Sequence, residues 1–420
     1  MKLTYLTICA AALVACSDSR PTAPGSTHPA PHDGDAHPGQ PLAKANARSP
    51  KDILEGLVSR QFARVTLPAD AFSQSADAVH PDIACPPRGW NGAKCWLIYT
   101  PYRNSDPSWE NPAFLLAAND TSWLTPNAIQ NPIVSYPGTG SYNSDPDHAF
   151  DPGTQRLIQV FRVVDSVNRI MLMSTSDARQ WTTPVVAFSA RSHDAVSPSL
   201  VIDRNRAAKV WYVKSGVAGC RASTTTVELR TARPNAGQRF ESVRWSAPTA
   251  TDLSIPGYVV WHLDVAEIPS VGSHITSSIA TSVRGSSKVA QKGVFALSSY
   301  VALIAAFPEG ATCSQSDLWL ATSDDGLSWH TLPLPIFWRG MEIATRRSIA
   351  TWYRGTLRYD AKSDMLDIWP SGLAGPIWTI YHTSVPLSVV TDLMESATPA
   401  DLRSIRASSA LVPAPSIRMP

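Results

Sequence analysis

One short strand pattern recurs five times along this chain, and that recurrence restricts the fold more than any other feature. The clearest copies are Asp147-His-Ala-Phe-Asp151, Ser199-Leu-Val-Ile-Asp203 and Thr356-Leu-Arg-Tyr-Asp360. Each has a small or acidic residue, three mostly apolar residues and an Asp that begins a turn. A second apolar run follows each copy, at Leu157 to Phe161, Val210 to Val213 and Met365 to Trp369. Looser copies begin at Asp82 and Asp264, so the five anchors stand 65, 52, 65 and 92 residues apart. A repeated supersecondary unit of about 40–50 residues or more is the signature of a radial stack of blades. The expected fold is all-β, a five-bladed β-propeller whose first strands line one central channel.

Two residues before each anchor lies a second position, and side chains at i and i+2 share a face of a regular strand. The five pairs are His80/Asp82, Asp145/Asp147, Ser197/Ser199, His262/Asp264 and Arg354/Thr356. In a propeller the entrance of strand one and the loop between strands two and three share one end of the barrel. That end is expected to gather Asp82, Asp145, Asp147, Asp264, Glu110 and Glu309 with His80, His262 and Arg354. The Asp residues that start turns, Asp151, Asp203 and Asp360, read as turn formers instead.

The ends of the chain read differently. Residues 1–15 resemble a signal peptide: Met1-Lys2 precedes an apolar stretch too short to span a bilayer. Leu13-Val14-Ala15-Cys16 resembles a bacterial lipoprotein box, in which Cys16 is lipidated; a plain secretory signal with a chance cysteine is the alternative. With Ser17 next, the box implies a lipid-anchored envelope protein, in the outer membrane if the host is Gram-negative. Residues 16–49 are rich in Pro, Ala, Gly, Ser and His and read as a disordered tether. Residues 50–76 are expected to give a short helix and a strand at Arg64-Val-Thr-Leu-Pro68 that closes the ring. The propeller is expected over 77–390, and a C-terminal helix and tail over 391–420.

Setting aside Cys9 and Cys16, four cysteines remain, and in an exported chain an even number argues for disulfides. Three pairings are possible. Cys85 and Cys95 flank one hairpin turn, while Cys220 and Cys313 fall on equivalent loops of neighbouring blades, so those two pairs are expected. With 36 Lys and Arg against 34 Asp and Glu and no basic stripe, nothing supports nucleic-acid binding. A monomer whose membrane contact is the lipid alone is expected.

The residues His80-Pro-Asp82, Trp90-Asn-Gly92, Trp96-Leu-Ile-Tyr99-Thr-Pro101, Glu110-Asn-Pro112 and Asn143-Ser-Asp145-Pro-Asp147 resemble those of five-bladed propellers related to glycoside hydrolase families 43, 32 and 130. Trp261-His262-Leu-Asp264-Val265 and Tyr353-Arg354 resemble the later blades. The resemblance implies a glycoside hydrolase with Asp82 as base or nucleophile, Asp145 as the residue that tunes it and Glu110 as acid. His80, Asp147, His262, Asp264 and Arg354 are then expected to contact a carbohydrate substrate. Hydrolysis of a glycosidic bond uses two carboxyl groups on opposite sides of the anomeric carbon. The chain departs from family 43 in its third blade, where Ser197-Pro-Ser199 offers no acid, and it lacks the family 32 motifs Asp-Pro-Asn-Gly and Glu-Cys.

Thr322-Ser-Asp324-Asp-Gly326-Leu-Ser-Trp329 matches the Asp-box of sialidase-like propellers, with degenerate copies at Thr175 to Trp181 and Asn119 to Trp123. It implies turns between outer strands. The Asp-box makes a sialidase-like enzyme one alternative to a glycosidase, and the missing third-blade acid makes a non-catalytic carbohydrate-binding lipoprotein the other. No cofactor is demanded, although the two histidines and several Asp residues can hold Ca²⁺ or a hydrated ion on the axis.

Overall fold

The computed structural model describes residues 49–68, 75–106, 109–110, 113–118, 123–126, 129–135, 141–191, 194–268, 299–343 and 348–412. Cys16, the segment 1–15 and the tether through residue 48 lie outside the described residues. So do Asn119 and Asp120 of the third Asp-box copy. Among the described residues, no helix is long and apolar enough to cross a membrane.

The described chain starts with helix α1 (Pro50–Gln61) and a two-residue strand β1 (Ala63–Arg64). Ser49 and Asp52 form a reciprocal capping box, and Pro50 occupies the first turn, where no intrahelical N–H is needed. Five blades follow. The first comprises β2 (Ala78–Ala84), β3 (Cys95–Pro101) and β4 (Phe114–Ala118); the second β5 (Tyr142–Asp151), β6 (Arg156–Val164), β7 (Asn168–Thr175) and β8 (Val185–Ala190). The third has β9 (Val196–Ile202), β10 (Ala208–Lys214), β11 (Thr226–Ala232) and β12 (Thr249–Ala250). The fourth has β13 (Tyr258–Glu267), β14 (Tyr300–Pro308), β15 (Asp317–Ser323) and β16 (His330–Thr331), and the fifth β17 (Thr351–Asp360), β18 (Met365–Ala374) and β19 (Ile377–Pro386).

Every blade is an antiparallel meander. The inner strands touch in the cyclic order β2, β5, β9, β13, β17 and back to β2, which closes the ring. The seam is sealed by β1, which pairs with β19 through Ala63↔His382 and Arg64↔Tyr381 and so completes the fifth blade. The closing strand is shorter than the stretch to Pro68 that the sequence suggests. Val65 adds one more bond, its N–H donating to Ile380 O at 2.9 Å. The chain then leaves the fifth blade at Pro386 and enters helix α2 (Leu387–Ser396), which the sequence reading did not anticipate, and α3 (Pro399–Ala410), capped by Thr398.

Blades bury both faces against their neighbours, so central strands are apolar nearly end to end; β14 is buried from Val301 to Phe307. The turn Asp residues behave as expected. Asp151 accepts from Gly153 N and Thr154 Oγ1, Asp203 from Asn205 N and Ala207 N, and Asp360 from Lys362 N and Ser363 Oγ. In the Asp-box it is Asp325, one residue after the motif position, that accepts from Leu327 N and Ser328 N. Gly326 there adopts φ +82°, and its carbonyl receives Trp211 Nε1 of the third blade at 2.8 Å. The box therefore joins blades, far along the chain from the axis. Both expected disulfides are present, Cys85–Cys95 and Cys220–Cys313.

One local feature sets up the channel. All five inner strands shift register at the paired positions, between Val79/Asp82, Ser144/Asp147 and Trp352/Gly355, between Val260/His262, and opposite β9 at Trp211/Val213. In the first three blades the bulged residue precedes proline and is left-handed: His80 at φ 52°, Asp145 at 51° and Ser197 at 53°. Such backbone costs on the order of 1–3 kcal/mol per residue and re-aims side chains. The two members of each pair consequently stand in two separate tiers.

Candidate active site

The second tier contains Asp82, Asp147, Ser199, Asp264 and Thr356. Its members latch neighbouring blades by one repeated bond. Asp82 Oδ2 accepts His148 N–H at 2.6 Å, Asp147 Oδ1 accepts Leu200 N–H at 2.8 Å, and Ser199 Oγ accepts Val265 N–H at 2.8 Å. Asp264 Oδ2 accepts Leu357 N–H at 3.0 Å. Each donor is the residue after the equivalent position in the next blade. The ring is joined at Thr356, whose hydroxyl donates to Asp82 Oδ1 at 3.0 Å.

Asp82 also meets His148 Nδ1, so both of its oxygens are occupied. Burial alone would raise its pKa, but the neighbouring His148 and Arg354 hold it below the usual carboxylate range. Burial and the charge of Asp82 push Asp147 up and Asp264 up to about 6. Arg354 fills the gap between tiers. Its Nη2 donates to Asp147 Oδ2 at 2.6 Å and to Pro198 O at 3.0 Å, and its Nη1 to Pro146 O at 3.1 Å.

The entrance tier is bonded differently. Asp145 Oδ2 accepts Ser197 N–H at 3.1 Å and Arg162 Nη1 at 3.2 Å. Its Oδ1 lies 3.2 Å from His80 Nε2 and 3.6 Å from His262 Nδ1, yet makes no hydrogen bond to either. His80 Nδ1 is 3.1 Å from Thr100 Oγ1, and that hydroxyl donates to Val79 O at 3.5 Å. A proton on Nδ1 would pair with Thr100, and in that tautomer Nε2 of His80 would face Asp145 as a lone pair able to ligate a metal. Among the described residues, neither ring nitrogen of His262 has a hydrogen-bond partner.

Burial drives His80 down to about 4 and His262 well below its ordinary value. For Asp145 burial acts upward, but His80, Arg162 and His262 together outweigh it and hold the carboxylate ionised. Two neutral imidazoles and one carboxylate thus converge, fully buried, with unsatisfied ligand atoms within 4.8 Å of one another.

Glu110 stands beside this tier. Glu110, Asp145, Arg162, His262, Tyr142 and Tyr353 line a cavity of about 20 Å³, with Ser144, Trp261 and Cys220 completing its wall. That volume suits one water molecule or ion. Burial and then the Asp145 charge raise Glu110 to about 8. Tyr353 packs its ring against both imidazoles, 5.1 Å from His80 and 4.5 Å from His262. Arg162 joins Asp145 to the Tyr142 hydroxyl, which accepts Nη2 at 2.6 Å. Asp82, Asp147, Asp264, His80 and Arg354 lie outside that lining, and Glu309 is exposed at the end of the barrel.

Of the residues singled out from sequence, Glu110, Asp145 and His262 meet at one cavity, with His80 directly behind Asp145. Arg162, Tyr142, Thr100 and His148 were not singled out. Arg162 had a readable signal, being one of two charges in the otherwise largely apolar strand β6 and the one that does not sit at its end.

The entrance tier fits a divalent metal. Its donors are two imidazole nitrogens and one carboxylate oxygen, all in the deprotonated form that metals require. That set differs from the all-oxygen cage typical of Ca²⁺. The second tier offers only oxygens, and these already accept hydrogen bonds.

No family model matches the chain. It is 21% identical over 306 residues to the "A type blood N-acetyl-alpha-D-galactosamine deacetylase" of Flavonifractor plautii, an alignment that covers 62% of this chain and 35% of that protein. The chain thus spans about a third of the length of the curated relative it matches. Its structure is similar to that of an N-acetylgalactosamine deacetylase from F. plautii in complex with blood group B trisaccharide, with a TM-score of 0.63 at 18% identity over 80% of this chain and 97% of the other. A thermostable family-43 glycoside hydrolase aligns at a TM-score of 0.48 and 11% identity, over 73% of this chain and 89% of the other. The chain thus shares its five-bladed propeller fold with the F. plautii deacetylase structure.

Proposed function

We propose that this protein is a metal-dependent hydrolase that removes the acetyl group from an N-acetylated amino sugar of a glycan. One observation carries the reading: His80, Asp145 and His262 point unsatisfied ligand atoms at one another beside a carboxyl group poised near neutrality. The deacetylase name of the F. plautii relative supports it.

His80 through Nε2, His262 and Asp145 would hold the cation. A divalent cation there supplies Lewis-acid polarisation of a carbonyl oxygen and lowers the pKa of water. Glu110, with its pKa near 8, can take a proton from the attacking water and return it to the departing amine nitrogen as the C–N bond breaks. Arg162 and Ser197 N–H keep Asp145 ionised and oriented. Tyr353 and Trp261 wall the imidazoles from bulk water. Thr100 fixes the His80 tautomer.

Glycoside hydrolysis is the second reading, and a specific observation favours it. Glu110 and Asp145 border one cavity with pKa values pushed in opposite directions, the pattern of an acid and a base. Its weakness is that Asp145 is already approached by His80, His262, Arg162 and Ser197. Asp82, with both oxygens engaged in bonds between blades, serves in this account as a strut. The test is product analysis with N-acetylhexosamine-terminated oligosaccharides. Free acetate without new reducing ends supports deacetylation; new reducing ends without acetate support the glycosidase and overturn the first reading.

A further inference from the structure

On the flank of the propeller, away from the axis, a groove of about 1060 Å³ runs between the second and third blades. One wall is Val186 to Phe188 of β8, an outermost strand that pairs with no further strand in its sheet. The other wall is β11 with the segment from Val243 to Ala247. Arg230, Arg233 and Arg244 all line the groove, and among the described residues no acidic one does. Three like charges around one concavity give it a positive potential that favours an anionic ligand.

Arg230 is held ready. Its guanidinium lies 4.7 Å over the Phe188 ring, Nη1 donates to Ser246 O at 2.7 Å, and Nε donates to the Tyr212 hydroxyl at 3.1 Å. Glu228, the nearest acid in this network, is engaged by the same Tyr212 hydroxyl at 2.7 Å and stands outside the lining. Arg233 and Arg244 are exposed. Val186 is 49% exposed, which adds an apolar strip to the cationic one. The volume lies just above the usual range for small-molecule sites, roughly 300–1,000 Å³. It suits a few sugar rings rather than a nucleic-acid duplex, which would need a longer basic stripe.

We infer that this groove is a second glycan-binding site, selective for acidic oligosaccharides that carry carboxylates. Guanidinium groups match carboxylates in a planar, two-pronged geometry, the free edge of β8 offers backbone partners to hydroxyls, and the apolar strip meets sugar C–H faces. The site stands apart from the axial cavity and does not depend on the reaction performed there.

The test is calorimetric titration of the full chain with tetragalacturonate and with a neutral tetrasaccharide, at low salt and at high salt. The expected result is binding of the acidic oligosaccharide at least about tenfold tighter than the neutral one, weakened by salt. Replacing both exposed arginines (Arg233→Ala with Arg244→Ala) should weaken it about tenfold with the melting temperature unchanged. Equal binding of the neutral sugar, equal binding by the double variant, or no binding would overturn the assignment. Tighter capture of a DNA duplex or of anionic phospholipid vesicles would also overturn it.

Discussion

His80 Nε2 lies 3.2 Å from Asp145 Oδ1 across the channel entrance, and no hydrogen bond joins them. Fully buried polar atoms at that separation are normally bonded, because leaving them unpaired costs about 1–3 kcal/mol each. The strain of left-handed backbone at both residues adds to that cost. A bound cation would satisfy the unpaired atoms and so offset the backbone strain.

Asp82 is predicted to be a structural strut. Asp82→Asn keeps one oxygen acceptor but loses the charge that His148 and Thr356 meet, so stability should fall by about 2–4 kcal/mol in thermal or chemical denaturation. The protein that remains folded should keep its turnover within a few-fold. Loss of turnover with unchanged stability would return Asp82 to the chemistry.

Glu110→Gln should lower turnover about 10²–10⁴-fold. The same substitution should change how stability depends on pH. Glu110 has a raised pKa when folded, so the native state keeps a proton that the unfolded chain releases above the ordinary value of 4.5. Its contribution is therefore fully present below 4.5 and is lost as pH rises to about 8. Relative to wild type, the Gln variant should gain melting temperature between pH 5 and pH 8. A gap that does not vary with pH would mean that Glu110 titrates normally.

The Cys220–Cys313 disulfide spans 93 residues and joins the third blade to the fourth, and Cys220 forms part of the cavity wall. Replacing both cysteines with serine should cost about 2–4 kcal/mol. Because the wall moves, KM for the glycan should rise more than kcat falls. Steady-state kinetics beside a denaturation curve would show whether the two effects separate.

The blade count, both disulfides and the turn roles of Asp151, Asp203 and Asp360 were legible because they depend on local patterns: strand period, turn chemistry and cysteine position. The pairing of positions i and i+2 correctly located the channel residues. It could not foresee that a bulge at His80, Asp145 and Ser197 divides them into two tiers with different bonding. That division leaves both oxygens of Asp82 hydrogen-bonded but only one oxygen of Asp145, although both are Asp residues flanking a proline. Arg162 and Thr100 belong to second strands, and their link to the axis exists only once blades two and one have folded. Helix α2 was missed because it follows the last strand without a capping side chain.

The most direct test is acetate release from N-acetylhexosamine-terminated oligosaccharides by the full chain after chelator treatment, before and after return of Zn²⁺, Mn²⁺ or Co²⁺. A His262→Ala variant would run in parallel. The account predicts no acetate from the stripped protein, recovery with at least one of the three ions, and no recovery in the variant. Undiminished acetate release by the stripped protein, or by the variant, would contradict it.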